Sequence, residues 1–264
     1  MKKVFIVSND KFYLNNKGFF NSNKNTYTII NSISRFCKVY LIARKTNFRH
    51  KFYMNLKDVS FLGIKKFIQI GSCIEYGKKS SPQNEKLKSK NTHSYYGNAK
   101  LLSTNYLLKL YKKKNFPACI LRPYLLYGPN QDFNRIISST IQNCLTDKTF
   151  NCSEGIQYRD FLFIDDFISV IFKVINLKST SGHIFNVGSG KKINIKSAIK
   201  TIHKIIGKGE PKFGEISMRK DEIMSLYPSI KKIKKFTKWK PNITFNQGLA
   251  LTIKHYKKTM YKKI

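Results

Sequence analysis

Acidic residues are scarce in this chain, which has 14 Asp and Glu against 50 Lys and Arg and a formal net charge of +36. Such an excess of positive charge ordinarily points to nucleic acid or to an anionic membrane surface. Here the lysines are spread along the whole chain, and Asn and Ile are plentiful too, as a drift toward A- and T-rich codons would produce. We therefore interpret the lysines as a solvated coat and expect no nucleic-acid partner. The positive field would still attract an anionic ligand such as a nucleotide.

The sequence also lacks the patterns of metal, disulfide and membrane proteins. Its five cysteines form no C-x-x-C pair and no cluster with histidine, which argues for a reducing compartment and against zinc. No stretch approaches the roughly 18 apolar residues of a membrane span. The apolar run VFIV near the start is far shorter than the core of a signal peptide. We expect a cytoplasmic protein without a metal site and without membrane contact.

Short apolar runs alternate with one longer run of helical period. The strand-like runs are KVFIVS, KVYLIA, KKFIQIGS and ACILRPYLL, at residues 3–8, 38–43, 65–72 and 118–126. Between the last two, the leucines of residues 99–115 follow the period of a helix. A strand, a helix and a strand in this order predict a right-handed crossover and a parallel sheet, and hence an α/β fold. Residues 3–45 are interpreted as a separate strand-helix-strand unit.

Two adjacent tyrosines precede this helix in the stretch HSYYGNAK, residues 93–100. Positions four apart lie one turn apart on one helix face, so Tyr96 can meet Lys100 while Tyr95 points elsewhere. An ammonium group near a phenol favours the phenolate, which would lower the Tyr96 pKa from about 10 and make the side chain a usable acid or base. A helix start with incidental polar groups explains the same letters, so the pair needs support from other parts of the chain.

In open α/β sheets, ligands bind at the carboxyl ends of the strands. The run KKFIQI leads to Ser72 and then to a tight turn through Gly77, and the run ACIL leads into a rigid corner, RPYLLYGPN. We therefore expect Ser72, Tyr96 and Lys100 to converge on one crevice.

Six motifs occur in the order and rough spacing of the extended short-chain dehydrogenase/reductase family: GSCIEYG, YGNAK, LRPYLLYGPN, GIQYRDFLFIDDF, IFNVGSG and FTKWKPNITFNQGL. More narrowly, residues 65–250 resemble the NAD-dependent epimerases and dehydratases that act on nucleotide sugars. The resemblance implies a Rossmann-like parallel sheet with a smaller C-terminal α/β substrate-binding region. It also implies NAD or NADP as cofactor, a nucleotide-sugar substrate and a homodimer.

The resemblance assigns the catalytic roles. Tyr96 would exchange a proton with a sugar hydroxyl, and Ser72 would hydrogen-bond the reacting oxygen. Lys100 would bind the nicotinamide ribose and lower the Tyr96 pKa. The nicotinamide would be bordered by the backbone of Pro123, Tyr124 and Leu125.

On the substrate side, Arg159 and Arg219 match positions where the family grips the nucleotide diphosphate, since a planar guanidinium clamps phosphate oxygens in a way that lysine cannot. An ordinary surface arginine explains Arg219 equally well. We expect Asp166 to orient a loop or a helix start. Because Ser72 is followed by Cys73 and not by the Asp-Glu pair of the family's dehydratases, the motif favours epimerisation or ketone reduction over dehydration.

The opening motif of the family is missing. Members begin with a strand and G-x-x-G-x-x-G, whose glycines let the backbone approach the cofactor pyrophosphate at a helix N-terminus. Here KVFIVS is followed by NDKFYLNNKGFF, in which Gly18 is the first glycine, and there is room for two or three strands before Ser72. The start weakly resembles that of Rossmann-like sugar-nucleotide glycosyltransferases. We expect an atypical N-terminal segment at 1–64, a Rossmann-like catalytic part at 65–128 and a substrate-binding part at 129–264.

Three hypotheses follow. The first is an NAD(P)-dependent nucleotide-sugar epimerase or 4-keto reductase with a Ser-Tyr-Lys site. The second is a degenerate, non-catalytic member that lacks the glycine loop and binds a sugar nucleotide or a partner. The third is a basic nucleic-acid binder, which only the charge supports.

Overall fold

The computed structural model describes residues 3–15, 18–21, 38–45, 65–92 and 94–260, the first three ranges as backbone alone. In chain order the strands are β1 (Lys3–Asn15), β2 (Gly18–Asn21), β3 (Lys38–Lys45), β4 (Phe67–Ile70), β5 (Ala118–Pro123), β6 (Leu125–Tyr127), β7 (Thr149–Cys152), β8 (Tyr158–Arg159), β9 (Phe161–Phe163), β10 (Ile184–Val187), β11 (Ile193–Asn194), β12 (Glu210–Phe213) and β13 (Ser225–Leu226). The helices are α1 (Tyr95–Lys114), α2 (Ile136–Leu145), α3 (Ile164–Ile175), α4 (Ile195–Ile206), α5 (Lys231–Thr237) and α6 (Phe245–Met260). Two short 3₁₀ turns lie at Cys73–Tyr76 and Lys178–Thr180.

The sheet that carries the crevice has the order β10-β5-β4, and both of its ladders are parallel. Helix α1 connects β4 to β5, as the alternation of apolar and helical runs predicted. The predicted α/β class with a parallel sheet is therefore confirmed. Strand β10 comes from residues 129–264, so this sheet draws on both sides of the predicted boundary at 128. The boundaries themselves stay a prediction.

The start of the chain forms a separate sheet with the order β2-β1-β3. Strands β1 and β3 are parallel, with Lys3 opposite Lys38, and β1 and β2 form an antiparallel hairpin, with Asn15 opposite Gly18. The helix predicted between KVFIVS and KVYLIA lies outside the described residues. Strand β1 is longer than predicted, because it continues through the stretch that follows KVFIVS.

Ser94 caps the N-terminus of helix α1. The Ser94 hydroxyl accepts a hydrogen bond of 3.0 Å from the Gly97 backbone N–H, which satisfies one of the free donors of the first turn. The helix ends at Asn115, which adopts a left-handed conformation with φ of 51°. The predicted helix at 99–115 thus begins four residues earlier, and Tyr96 lies in its first turn.

The main apolar core packs helices α2, α3, α4 and α6 against the strands, and Phe167, Phe185 and Ile202 at its centre are fully buried. A second small cluster fixes α1 to β5 through Leu107, Phe116, Ala118 and Ile120. Removing this apolar surface from water stabilises the sheet that carries the crevice by about 25 cal/mol per Å².

Four cysteines are described, and Cys73, Cys119, Cys144 and Cys152 are all buried free thiols. Burial raises the pKa of Cys73 and of Cys119 to about 12, so these thiols stay protonated at neutral pH. Within the described residues, no three His, Cys, Asp or Glu side chains form a group that could hold a metal ion. In the same part of the chain, no helix is long and apolar enough to cross a membrane.

Candidate functional site

The crevice forms where β4 ends and α1 begins. The Lys100 ammonium donates a hydrogen bond of 2.8 Å to the carbonyl of Ile70, the last residue of β4. The same ammonium lies 5.6 Å from the centroid of the Tyr96 ring. Ser72 follows two residues after Ile70, and its side chain is near enough to the Tyr96 phenol to lower the pKa of that phenol. The structure therefore brings together Ser72, Tyr96 and Lys100.

The two adjacent tyrosines have different environments, as the helical spacing predicted. Tyr95 is 97% exposed, whereas Tyr96 is 56% exposed and contacts both Lys100 and Ser72. The pKa of the Tyr96 phenol is raised above its ordinary value, first by burial and then by the nearby Cys73 and Glu75, while the neighbouring Ser72 side chain acts in the opposite direction. The sequence predicted a lowered pKa, so this direction is a correction: burial outweighs the groups that favour the phenolate.

The turn that presents Ser72 is a capping box. The Ser72 hydroxyl accepts a hydrogen bond of 3.3 Å from Ile74 N–H, and the Glu75 carboxylate accepts one of 2.8 Å from Ser72 N–H. Gly71, directly before it, has no room for a β-carbon, because the Glu75 carboxylate, Arg122 and Ile120 occupy that space. Glycine at 71 therefore lets the Glu75 side chain fold back onto the strand end.

A buried ion pair lies directly beneath this turn. The second carboxylate oxygen of Glu75 accepts hydrogen bonds from Arg122 at 2.9 Å (Nε) and 2.6 Å (Nη2), and from the Thr104 hydroxyl at 2.8 Å. The Arg122 guanidinium also lies 4.4 Å from the centroid of the Tyr76 ring. Sequence reasoning named Arg122 only as part of a corner and missed Glu75 and Thr104. Acidic residues are rare in this chain, and this rarity was the signal in the sequence that could have drawn attention to Glu75.

The loop between the turn and α1 is anchored through Gln83, which is fully buried. Its backbone N–H donates to Tyr227 O at 3.0 Å, and its carbonyl accepts from Ser229 N–H at 2.7 Å. Its side-chain oxygen accepts from the Tyr124 hydroxyl at 2.7 Å. The sequence predicted a polar loop here and gave no signal for this contact, which joins the crevice to the segment after β13.

The residues predicted to border the nicotinamide lie at the end of β5 and the start of β6. The Tyr124 side chain is buried with Cys73 and Leu226, and burial raises its pKa. That the backbone of Pro123, Tyr124 and Leu125 borders a nicotinamide stays a prediction.

The two predicted phosphate-binding arginines differ in their surroundings. The Arg159 guanidinium is mostly buried, pairs with the Glu222 carboxylate and donates to the Ile223 carbonyl at 2.7 Å. Arg219 is exposed, and its carbonyl accepts a hydrogen bond of 3.1 Å from Glu222 N–H. One turn of the loop before β13 thus contains Arg219 and the carboxylate that pairs with Arg159. Their binding of a diphosphate stays a prediction.

Two buried aspartates organise loops around the crevice. The Asp166 carboxylate accepts hydrogen bonds from Asn242 N–H at 2.9 Å and Ile243 N–H at 3.0 Å, which confirms the prediction that it orients a loop. The Asp160 carboxylate accepts from the backbone of Ser189 at 2.7 Å and of Gly190 at 2.6 Å. Asp160 thereby holds the turn after β10, a role that sequence reasoning missed.

At the end of β1, the described backbone forms an antiparallel hairpin. Strand β1 runs to Asn15 and turns back into β2 at Gly18. In the described stretches of residues 3–45, no helix N-terminus follows the strand with N–H groups directed at a phosphate. The end of β4 differs, since a lysine and a tyrosine of the predicted spacing lie beside that strand end.

The family was identified by comparison with known proteins. Residues 49–188 match the model of the NAD dependent epimerase/dehydratase family. The UDP-glucuronate 4-epimerase of Thermodesulfobacterium geofontis is 28% identical over 197 residues, which are 72% of this chain and 59% of that protein. The dTDP-D-glucose 4,6-dehydratase of Mus musculus is 23% identical over 75% of this chain and 58% of its own length. The chain therefore spans less than two thirds of the length of these relatives.

Solved structures agree with this match. A UDP-glucuronic acid 4-epimerase mutant from Bacillus cereus, solved with a fluorinated UDP-glucuronic acid and NAD, has a TM-score of 0.68 at 27% identity and covers 74% of this chain and 62% of that one. The RMD protein from Pseudomonas aeruginosa, solved with NADPH, has a TM-score of 0.76 over 98% of this chain and 100% of that one, and at 17% identity it shows the fold alone. Since the family match covers more than half of its residues, the chain belongs to the NAD dependent epimerase/dehydratase family of the extended short-chain dehydrogenases/reductases.

Proposed function

We propose that the chain is an NAD(P)-dependent nucleotide-sugar epimerase or 4-keto reductase. The observation that carries this proposal is the convergence of Ser72, Tyr96 and Lys100 at the carboxyl end of β4. It is supported by relatives that are named as nucleotide-sugar epimerases and dehydratases. It is also supported by a neighbour whose structure contains NAD.

The three side chains divide the proton chemistry between them. The Tyr96 phenol exchanges a proton with the hydroxyl or carbonyl oxygen of the sugar, and the Ser72 hydroxyl hydrogen-bonds the same oxygen. Lys100 is held in place by the Ile70 carbonyl, and its positive charge stabilises the phenolate when it forms. A nicotinamide, when bound, takes up or returns the hydride of the carbon that bears this oxygen. Because Tyr96 removes or adds the proton on this oxygen as the hydride moves, no charged alkoxide has to form.

The residue that follows Ser72 bears on the type of reaction. Ser72 is followed by the buried thiol of Cys73, whose pKa of about 12 makes it a poor acid or base. This pairing supports the earlier inference against dehydration.

On the substrate side, we propose that Arg159 and Arg219 contact the nucleotide diphosphate. Arg159 has an ordered guanidinium beside Glu222, and Arg219 lies in the exposed loop that carries this glutamate. When a diphosphate binds, its oxygens would replace the Glu222 carboxylate as the partner of Arg159. Phosphate oxygens can accept the same two parallel hydrogen bonds from the guanidinium. The strongly positive chain would favour this anion over neutral sugars.

A direct assay tests the proposal and separates its two forms. The purified chain is incubated with UDP-, dTDP-, GDP- and CDP-hexoses or their 4-keto forms, with NAD, NADP or their reduced forms. An epimerase interconverts two sugars without net cofactor change, which proton NMR of the anomeric region detects. A 4-keto reductase consumes reduced cofactor in proportion to product, which absorbance at about 340 nm detects. Absence of both reactions with every pair would contradict the proposal.

A second candidate function is binding of a sugar nucleotide or a partner without turnover. The observation in its favour is the β1–β2 hairpin at the point where relatives of this fold begin their cofactor site. This function predicts measurable affinity for a nucleotide sugar together with no turnover of any substrate. Homodimerisation also stays a proposal, supported by the exposed Tyr95, Leu102 and Tyr106 on α1.

A further inference from the structure

We infer that Glu75 is the positioning residue of the proposed site. Its buried carboxylate joins the turn that carries Ser72, the helix that carries Tyr96, and the end of β5. This inference rests on the proposed function for its meaning, but the geometry stands without it. Glu75 is not placed in contact with substrate or cofactor, and it acts through Ser72 and α1.

The two carboxylate oxygens of Glu75 serve different elements. One accepts the Ser72 N–H at 2.8 Å and so fixes the turn directly after β4. The other accepts the Thr104 hydroxyl and two N–H groups of Arg122. A carboxylate can accept all four bonds at once, whereas an amide at the same place has one acceptor oxygen and would leave part of this set without an acceptor.

The helix face that meets Glu75 is the face of the proposed site. Tyr96, Lys100 and Thr104 are spaced four residues apart, and so they lie on one side of α1 over two turns. Lys100 binds the end of β4 through the Ile70 carbonyl, and Thr104 binds the turn through Glu75. These two contacts set how α1 sits above Ser72, and hence the approach of the Tyr96 phenol to the Ser72 hydroxyl.

The charge of Glu75 also affects the Tyr96 phenol. The titratable and charged groups near the Tyr96 phenol are Cys73, Glu75, Arg135 and Lys100. Of these, Cys73 and Glu75 raise the Tyr96 pKa, and Arg135 lowers it. The buried Arg122 guanidinium pairs with Glu75 at a distance of 2.6 Å. Removing the pair would therefore change both the geometry of the turn and the electrostatic field at the phenol.

The first test is Thr104→Val, which removes one hydroxyl from the helix face and keeps the shape. We expect kcat to fall at least tenfold with little change in KM, because a misplacement of about 1 Å costs on the order of 10²-fold. The matched control is Thr252→Val in α6, where an equally buried threonine loses a bond of 2.6 Å to Gly248 O. If both variants lower Tm equally and Thr104→Val keeps the parental kcat, the inference is wrong.

The second test is the double variant Glu75→Leu with Arg122→Met. Replacing a buried ion pair by apolar side chains of similar volume leaves no unpaired buried charge, so this double variant should fold. A positioning role predicts that kcat nevertheless stays at least tenfold low, since the Ser72 N–H and the Thr104 hydroxyl have lost their acceptor. Recovery of both Tm and kcat in the double variant would overturn the inference. If this variant does not fold, Thr104→Val decides.

A third measurement does not depend on turnover. In amide hydrogen exchange, the Ser72 N–H should exchange at least tenfold faster in the double variant, because it donates to Glu75. The neighbouring Gly71 N–H donates to Leu121 O at 2.8 Å and should keep its protection. Equal protection of Ser72 in parent and variant would overturn the inference. A parent without turnover would refute the proposed function alone, and the exchange experiment would still decide the role of Glu75.

Discussion

The end of β4 and the end of β1 are the two places where a fold of this family meets its dinucleotide, and they differ in this chain. At β4, a strand end, a capped turn and a helix are joined by hydrogen bonds through Lys100 and Glu75. At β1, the strand continues to Asn15 and folds back as a hairpin. The proposed Ser-Tyr-Lys site thus lies on a connected network of hydrogen bonds, whereas the described backbone at β1 forms only a hairpin.

The largest effect is expected from Tyr96→Phe, which tests the β4 side of the comparison. Removing a general acid or base costs about 10²- to 10⁴-fold in kcat, and the fold should survive because the phenol is half exposed. The control is Tyr95→Phe, which removes the same hydroxyl from a side chain that is 97% exposed and should leave kcat unchanged. Turnover rates and Tm of both variants are the measurements. A greater loss with Tyr95→Phe would show that the catalytic tyrosine is assigned wrongly.

A smaller effect is expected for Arg159→Lys. Lysine keeps the charge but loses the fork, and a charge-assisted hydrogen bond is worth about 1.5–3 kcal/mol, so nucleotide-sugar affinity should fall about ten- to a hundredfold. Isothermal calorimetry with UDP- and dTDP-sugars measures the loss. The control is Glu222→Gln, which neutralises the partner carboxylate and should bind the sugar nucleotide as tightly as the parent or more so. Unchanged affinity in Arg159→Lys would remove Arg159 from the diphosphate site.

The difference between the ends of β4 and β1 predicts that the chain binds a nucleotide sugar and a dinucleotide with unequal affinity. Because the described backbone at β1 forms only a hairpin, a nucleotide sugar should bind at least tenfold more tightly than NAD or NADP. Calorimetry near 150 mM salt, which limits unspecific attraction to this positive chain, gives both constants. Micromolar binding of NAD would mean that another loop binds the pyrophosphate. It would contradict the expected difference in affinity.

The smallest effect is expected for Lys11→Ala in β1. If the hairpin does not bind the pyrophosphate, the loss of one charge among 50 Lys and Arg should change NAD affinity less than twofold. The same titration measures it, with Lys109→Ala on α1 as a control that removes one exposed lysine elsewhere. A tenfold loss specific to Lys11→Ala would place a phosphate contact in the hairpin.

The features that sequence reasoning predicted correctly are those that local periodicity determines. Apolar runs located β3, β4 and β5, and the four-residue spacing placed Tyr96 and Lys100 on one face of α1. The hairpin at β1 was not predicted, because residues 3–45 were interpreted as a strand-helix-strand unit with no strand directly after the first. The pairing of β10 with β5 was not predicted, because these strands are more than 60 residues apart in the chain.

The electrostatics of the crevice were harder to predict than its residues. Spacing indicates that an ammonium lies near a phenol, but it does not reveal how much water the phenol loses, and burial determined the direction of the Tyr96 pKa. Glu75 was missed for a similar reason. Its side chain turns inward because Gly71 leaves room for it. Its hydrogen-bond donors, Arg122 and Thr104, lie on other elements, β5 and α1.

The Glu85 side chain has a consequence for how this protein behaves at high concentration. In the described part of the chain, β10 is an edge strand of the sheet β10-β5-β4, and Glu85 accepts its Asn186 N–H at 2.8 Å. An edge N–H of this kind is where a strand from another molecule could add and start aggregation. A carboxylate at that position already occupies the donor and repels the carbonyl oxygens of an incoming strand. One of the few acidic residues of this chain therefore occupies the donor through which this strand edge could pair with another strand.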